Sequence, residues 1–142
     1  MRHERGLLDT SAVLRIGELE ESDLPVESLI CTITLAELSI GPLVTDDPTE
    51  RAARLAQVQR TEADYGDPVP FDAEAARAFA QVAADIRRSG RKSKAGAFDA
   101  LIAATAKAAQ LPLYTFNPRD FEDVTGLELV ALPRGRDVPG DR

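Results

Sequence analysis

Short apolar runs recur along the chain, and the stretches between them carry apolar residues at helical spacing instead. The runs are continuous and do not alternate with polar residues, which is typical of strands buried on both faces of a sheet. The predicted strands lie at the start of segment 6–12, at about 28–32, at 111–116 and at 127–133.

The stretches between the runs carry helix start and stop signals. Thr10 or Ser11 is a natural N-cap for the periodic segment after the first strand, and Thr34 can cap a short helix that Gly41 closes. The predicted helices fall within the segments 11–21, 34–41, 46–66, 72–90 and 97–109. Strands that alternate with helices in this way predict an α/β domain whose parallel sheet is covered on both faces.

The length and composition are those of one soluble domain. The chain has 142 residues, of which 44% are hydrophobic and 29% charged. No apolar run approaches the roughly 18 residues of a membrane span, and no signal peptide opens the chain, so we expect a cytoplasmic protein without membrane contact. We place the domain at residues 1–133 and expect a flexible tail at 134–142, where RGRDVPGDR is polar and contains Gly and Pro.

Residue counts narrow the possible chemistry to carboxylates. The chain has one cysteine, Cys31, and one histidine, His3, which excludes an internal disulfide, a multi-cysteine metal site and a histidine-rich zinc site. We interpret Cys31 as a small core residue and His3 as part of a loose N-terminal segment. The formal net charge of −7 argues against binding nucleic acid through bulk electrostatics, although the segment RRSGRKSK at 87–94 is a local basic patch.

Four acidic residues fall where the chain leaves a strand or where an apolar helix face meets the sheet: Asp9, Glu37, Asp99 and Asp120. Open parallel sheets form their sites at the carboxyl ends of the strands. Carboxylates brought together there repel unless a cation joins them, and oxygen ligands without His or Cys point to Mg²⁺ or Mn²⁺. Singly, Asp9 and Asp120 also suit caps, and Glu37 suits a solvent-facing position. Asp99 lies inside an apolar run and needs a partner unless it is exposed on an amphipathic helix.

The segments LLDTSAVL, TLAEL, FDALIAATA and LPLYTFNPRDF, in this order, resemble those of the PIN domain, and specifically of VapC-type ribonuclease toxins of toxin–antitoxin pairs. The likeness spans nearly the whole chain, and its most specific part is DALIAATA followed across a short strand by TFNPRDF. It implies a three-layer α/β/α fold with a central, mainly parallel sheet of about five strands. It also implies an endoribonuclease whose acidic quartet binds Mg²⁺ or Mn²⁺ and hydrolyses RNA phosphodiester bonds.

The resemblance assigns a role to each residue of the quartet. Asp9 and Asp99 are implied to be metal ligands, and Glu37 and Asp120 to hold a second ion or its waters or to position the attacking water. Asp123 lies close to Asp120 in the sequence, so that either residue completes the quartet. The residues implied to hydrogen-bond around the ligands are Thr10, Thr115 and Asn117.

The basic patch and the resemblance predict partners. RRSGRKSK directly precedes the Asp99 helix, and we expect it to contact RNA phosphates; the alternative is a solvated helix end. Its basic residues are Arg87, Arg88, Arg91, Lys92 and Lys94. The resemblance further implies a VapB-type antitoxin whose C-terminal arm covers the active-site groove, and a homodimer. Exposed apolar positions on the helices at 13–19 and 47–60 suit that arm or the dimer, and the sequence leaves both open.

Other functions of an acidic α/β domain fit less well. A signalling receiver domain needs an Asp at the end of a central strand and a Lys after a late one, whereas SLICTI contains no Asp and the late turn offers Arg119. A phosphatase of the HAD type needs Asp-x-Asp after the first strand, where Ser11 stands. A non-catalytic PIN-like module that binds RNA or protein is the main alternative, and the intact quartet counts against it.

Overall fold

The structure, a computed structural model, describes residues 2–90 and 96–135. Within these residues four strands form one parallel sheet: β1 (Arg5–Leu8), β2 (Glu27–Leu29), β3 (Leu113–Thr115) and β4 (Leu129–Ala131). The strand order is β2-β1-β3-β4, so β3 pairs with β1 on the side away from β2, and β4 pairs with β3. All strands run in one direction, and their carboxyl ends therefore meet at a single edge of the sheet.

Helices cover both faces of this sheet. They are α1 (Thr10–Leu14), α2 (Thr32–Ile40), α3 (Pro48–Tyr65), α4 (Ala73–Arg88) and α5 (Ala97–Ala109). Short 3-10 turns at Ile16–Glu18, Glu21–Asp23, Gly41–Leu43 and Pro118–Asp120 join the elements. No helix in the described part of the chain is long and apolar enough to span a membrane.

Neighbouring residues of β1 point into two different cores. Leu7 packs with Ile102 in the core beneath α4 and α5. Leu8 packs with Val13 and Val58 in the core beneath α1, α2 and α3. Successive side chains of a strand alternate between the faces of a sheet, so a continuous apolar run is what a strand between two helical layers requires. The predicted three-layer α/β/α fold is confirmed, and its sheet has four strands within the described residues where about five were expected.

The alanine-rich sequence of α5 brings its backbone close to the sheet. Ala103, Ala104 and Ala106 are fully buried, together with Ile102. Small side chains allow close backbone approach, and the helix ends where Gln110 takes the left-handed conformation with φ of 56°. The acidic residue in the first turn of this helix is thereby held against the rest of the domain.

The first helix differs from its prediction. Asp9, rather than Thr10 or Ser11, is the N-cap of α1, because its Oδ1 accepts a hydrogen bond from the backbone N of Ala12 at 2.9 Å. The helix has five residues, and only a 3-10 turn continues the segment predicted to be helical. Gly17 lies in that turn, and glycine disfavours a continued α-helix.

The second strand is shorter than the predicted 28–32, and α2 begins earlier than expected. Beyond β2 the chain leaves β1 and pairs with Val69, whose N donates to the carbonyl of Ile30 at 2.8 Å. Cys31 is consequently the N-cap of α2. Thr34, predicted to be that cap, lies fully buried inside the helix instead.

A buried carboxylate on α4 fastens this helix to the loop before β4. Asp85 is 3% exposed. It accepts hydrogen bonds from Gln81 Nε2 at 2.9 Å, from Thr125 N at 2.9 Å and from Thr125 Oγ1 at 2.8 Å. The Thr125 backbone hydrogen bond and these side-chain donors lower the pKa of Asp85 to about 2. The carboxylate form is therefore the one that stabilises the folded chain.

Asp85→Asn is expected to lower the Tm at pH 7 by roughly 5 °C or more, because the amide replaces one acceptor oxygen with a donor facing Thr125. The depressed pKa fixes the pH dependence: the contribution is present above about pH 4 and is lost as pH falls toward 2. Thermal unfolding of wild type and Asp85→Asn at pH 7 and at about pH 2 measures the difference in Tm. The exposed Glu62→Gln is the control. Equal Tm values for Asp85→Asn and wild type at pH 7 would contradict it.

Candidate metal centre

Asp9 is fixed at the carboxyl edge of the sheet, between β1 and α1. Its Oδ1 accepts hydrogen bonds from Ser11 Oγ at 2.6 Å and Ala12 N at 2.9 Å, and its Oδ2 accepts one from Thr115 Oγ1 at 2.5 Å. The residue is 3% exposed. Burial raises the pKa of this carboxyl group, and the hydrogen bonds from Ser11, Thr115 and Ala12 oppose the rise. Its position and orientation are therefore set before any ligand binds.

Hydroxyl groups join β1 and β3 around Asp9. Thr115 Oγ1 donates to Asp9 and accepts from Asn117 N at 2.9 Å. Ser11 Oγ also donates to Asp9 and accepts from Phe116 N at 3.2 Å. Thr115 was predicted to hydrogen-bond around the carboxylates and donates to Asp9, whereas no such role was predicted for Ser11, which donates to Asp9 as well. The signal for Ser11 was its place two residues after an aspartate, where hydroxyl side chains commonly form local turns.

Glu37 approaches the same edge from α2. Its Oε1 accepts a hydrogen bond from Thr10 Oγ1 at 2.6 Å, and Thr10 Oγ1 lies 3.2 Å from the hydroxyl of buried Thr34. Thr10 thus positions Glu37 rather than Asp9, the residue that precedes it in the chain. Thr34 was not predicted to belong to the site, although its spacing of three residues from Glu37 places both side chains on one side of α2.

Asp99 lies in the first turn of α5 and is partly buried. Its pKa is raised to about 6, first by burial and then by the negative charges of Asp9, Asp120 and Glu37. Three carboxylates from separate parts of the chain therefore act on Asp99 at this edge of the sheet. Since like charges disfavour ionisation, the group is destabilised as long as nothing positive joins it.

The structure places Asp120 and Asp123 in different surroundings. Asp120 ends the 3-10 turn after β3, where its N donates to Asn117 O at 3.0 Å, and its charge acts on Asp99. Asp123 lines a separate concavity together with Asp85 and Thr125. Of the two residues that the sequence left open, Asp120 is the one that lies with the other carboxylates.

The donor set matches a hard divalent cation. Carboxylate and hydroxyl oxygens are the ligands that Mg²⁺ and Mn²⁺ prefer, and a cation would relieve the repulsion that raises the pKa of Asp99. Within residues 2–90 and 96–135, no three His, Cys, Asp or Glu side chains close into a ready-made metal cage. Mg²⁺ does not need one, because it keeps several waters and binds through one or two carboxylates.

The predicted basic patch lies only partly within the described residues. Arg87 and Arg88 are exposed at the end of α4, and Arg88 Nη1 lies 3.4 Å from Asp85 Oδ1. The other basic residues predicted to contact RNA lie outside the described part of the chain: Arg91, Lys92 and Lys94. The structure thus places the start of the patch at the end of the helix that packs against α5.

An apolar groove adjoins the carboxylates on the side of α1, α2 and α3. It has a volume of about 440 Å³, and Thr10 and Glu37 line it together with Leu14 and Leu38. Further large apolar side chains are exposed on these helices and the turn that joins them, and Leu43 is 84% exposed. The remaining ones are Ile40, Val44 and Leu55. Exposed apolar surface of this kind is typical of a protein-binding site.

Comparison with known proteins places the chain in one family. The family model described as PIN domain matches residues 7–127. The chain is 33% identical over 132 residues to Ribonuclease VapC5 of Mycobacterium tuberculosis, a match that covers 91% of this chain and 94% of that protein. It is 35% identical over 99 residues to the tRNA(fMet)-specific endonuclease VapC of Shigella flexneri, covering 69% of this chain and 70% of that protein.

A solved structure agrees with the sequence comparison. The crystal structure of VapBC-5 from Mycobacterium tuberculosis, a member of the VapBC family of toxin–antitoxin systems, superposes with a TM-score of 0.74 at 32% sequence identity. The superposition covers 91% of this chain and 99% of that chain.

Proposed function

The chain belongs to the PIN domain family, and from this premise we propose that it is a divalent-metal-dependent endoribonuclease, the toxin of a VapBC-type toxin–antitoxin pair. The observation that carries the proposal is the convergence of Asp9, Glu37 and Asp120 on Asp99, whose pKa their charges and its burial raise. The names of similar proteins, which describe ribonucleases and toxin–antitoxin complexes, support the same reaction.

Asp9 and Asp99 would hold the cation, which we propose to be Mg²⁺ or Mn²⁺. When bound, the cation neutralises phosphate charge and lowers the pKa of a water molecule. Ser11 and Thr115 occupy lone pairs of Asp9 with hydrogen bonds and so fix the direction of its free ones. Asn117 contributes through its backbone, because its N–H donates to Thr115 Oγ1 and holds that hydroxyl group in place.

Glu37 and Asp120 act on the water and the phosphate. Thr10 donates to one oxygen of Glu37, which leaves the other oxygen to accept a hydrogen bond from the attacking water. Asp120, on the turn after β3, acts on Asp99 through its charge, and we assign to it a second ion or the waters around the cation. The exposed Arg87 and Arg88, with the rest of the patch at 87–94, bind RNA phosphates on the approach to α5.

Removing divalent cations is expected to lower the rate of RNA cleavage at least about 100-fold, because the carboxylates alone repel the phosphate. The measurement compares cleavage of a structured RNA by the purified chain in Mg²⁺, in EDTA, and in EDTA followed by excess Mg²⁺ or Mn²⁺. A DNA of the same sequence is the substrate control. Cleavage that persists in EDTA would refute the mechanism, and RNA binding without any cleavage in Mg²⁺ would favour the non-catalytic PIN-like module.

We propose that the apolar groove beside Glu37 receives the C-terminal arm of a VapB-type antitoxin. Its residues Thr10 and Glu37 belong to the carboxylate site, so an occupant of the groove lies against the site and hinders the entry of RNA. The half-exposed side chain of Leu14 lines the groove and adds to the apolar surface available to such an arm. A homodimer is proposed as well, and sedimentation of the purified chain measures it.

Leu14→Asp is expected to weaken binding of the antitoxin about 10-fold to 100-fold, because Leu14 lines the groove and is 54% exposed, so the substitution places a charge on apolar contact surface. The partner to be tested is the product of the neighbouring reading frame, and titration calorimetry measures the affinity. Val26→Asp is the matched control, since Val26 is 56% exposed and stands before β2, away from the groove. Equal loss of affinity in both variants would reject the groove as the docking site.

A further inference from the structure

A further concavity lies between the turn after β3 and the chain that leaves β4. Its volume is about 500 Å³. Phe116, Pro118 and Leu132 contribute an apolar floor. Asn117 and Asp120 also line it, so it opens directly onto the candidate metal centre. Its size lies within the range of pockets that bind small organic groups.

Two arginines give this concavity a cationic rim. Arg119 is exposed on the turn after β3, and Arg134 is exposed just beyond β4. Arg134 Nε donates to the carbonyl of Phe116 at 2.8 Å, and its Nη2 donates to Asn117 Oδ1. Arg134 is the first residue of the tail that the sequence predicted to be flexible, and these contacts hold its side chain over the concavity.

These contacts orient the guanidinium of Arg134 and leave some of its N–H donors available. A guanidinium carries five N–H donors, and the two hydrogen bonds use only part of them. Arginine binds phosphate well because its planar donors match two phosphate oxygens at once. The chain as a whole carries a net charge of −7 and therefore repels RNA. The positive charge of Arg134, on the rim of the concavity that Asp120 also lines, offsets this repulsion locally.

We propose that this concavity is a substrate subsite that takes the nucleotide adjoining the scissile phosphate of a single-stranded RNA, with Arg134 binding the phosphate of that nucleotide. The inference rests on the proposed endoribonuclease function and adds a place for the substrate. An amphipathic ligand fits an apolar floor beneath a cationic rim: the sugar and base contact Pro118 and Leu132, and the phosphate contacts Arg134. Because Asp120 belongs both to the lining of the concavity and to the carboxylate cluster, the next phosphate of the strand would reach the candidate metal centre.

Three substitutions separate this role from a structural one. Arg134→Gln removes the charge but keeps a donor for Phe116 or Asn117, and Arg134→Lys keeps the charge but loses the planar donor pair. Arg2→Gln is the matched control, because Arg2 also donates to backbone carbonyls, those of Leu24 and Pro25, but stands before β1 at the far end of the sheet.

The experiment measures binding of a fluorescently labelled single-stranded RNA by anisotropy in EDTA, and its cleavage in Mg²⁺, both from 50 to 300 mM KCl. Arg134→Gln is expected to weaken RNA binding about 10-fold and to reduce the slope of log affinity against log salt by about 1, while Arg134→Lys keeps that slope. In cleavage, KM rises more than kcat falls. Arg2→Gln behaves as wild type in both assays.

Several outcomes would overturn the subsite. A lower Tm for Arg134→Gln with an unchanged salt slope would mean that Arg134 only supports the loop. Weakened antitoxin binding with unchanged RNA binding would assign the concavity to the antitoxin. If wild type cleaves RNA and Arg134→Gln binds it equally well, the subsite fails and the proposed function stands. If wild type does not cleave but the charge of Arg134 still sets the salt slope, the proposed function fails, and the subsite is reduced to an RNA-phosphate contact at Arg134 with no scissile phosphate beside it.

Discussion

Asp99→Asn is expected to lower kcat/KM for RNA cleavage in Mg²⁺ at least about 100-fold, the largest effect of any single substitution considered. The amide has nearly the same shape as the carboxylate but brings no negative charge and one oxygen fewer for a cation. Replacing groups that merely orient a metal ligand typically costs 10-fold to 100-fold, so the loss of a ligand costs at least as much. Initial rates on a fixed RNA at several substrate concentrations measure the effect.

Two comparisons make this result specific. Asp64→Asn, at the exposed end of α3, removes the same charge away from the site and is expected to cleave as wild type does. Asp120→Asn is expected to lose activity and Asp123→Asn to retain it, because the charge of Asp120 acts on Asp99, whereas Asp123 lines a separate concavity. Activity of Asp99→Asn within threefold of wild type would remove Asp99 from the metal centre.

The same Asp99→Asn substitution is expected to stabilise the metal-free protein at pH 7.5 by about 1–2 kcal/mol. The pKa of Asp99 rises from 3.8 in the unfolded chain to about 6 in the folded one, so the folded state favours the protonated form. The contribution of Asp99 to stability is therefore most favourable below about pH 4 and is lost as pH rises through 6. Screening by solvent reduces the full value of about 3 kcal/mol that such a shift corresponds to.

Chemical denaturation at three conditions tests this reversal. In EDTA at pH 7.5 the Asn variant unfolds at higher denaturant than wild type, and at pH 4 the difference shrinks toward zero. In Mg²⁺ at 100 times its Kd, wild type gains about 2.7 kcal/mol and overtakes the variant, which binds the ion poorly. An Asn variant that is less stable than wild type in EDTA at pH 7.5 would show that burial and the surrounding carboxylates do not destabilise ionised Asp99.

The sequence predicted best where local signals and burial agree. The helix predicted at 97–109 has those bounds in the structure, and α4 begins after its predicted cap, Asp72, which accepts from Ala75 N at 2.9 Å. Aspartate caps and alanine-rich runs act over a few residues, so a single sequence displays them. The strands were placed correctly in order but predicted too long, because pairing with neighbouring strands, rather than the apolar run itself, decides where a strand ends.

The parts of the site that the sequence missed depend on contacts between distant segments. Ser11 accepts from Phe116 N, and Arg134 donates to Phe116 O, across separations of 105 and 18 residues. Thr10 was expected to support the metal ligands in general, yet its partner is Glu37 on another helix. An acidic residue within an apolar run can be recognised from the sequence because burying a carboxylate is costly. Hydroxyl side chains are common in every environment, so their role becomes visible only when their neighbours in the fold are known.

Asp9 is both the N-cap of α1 and a member of the carboxylate cluster, and these two roles affect how such chains evolve. A lineage released from selection for catalysis gains stability by replacing Asp99 but loses the capping bond to Ala12 N by replacing Asp9. Mutational drift is therefore expected to erase the site in a fixed order. Related chains that act only as binding modules should vary first at position 99 and retain Asp, Asn or Ser at position 9. An aspartate at position 99 is therefore the better sign that a related chain is catalytically active.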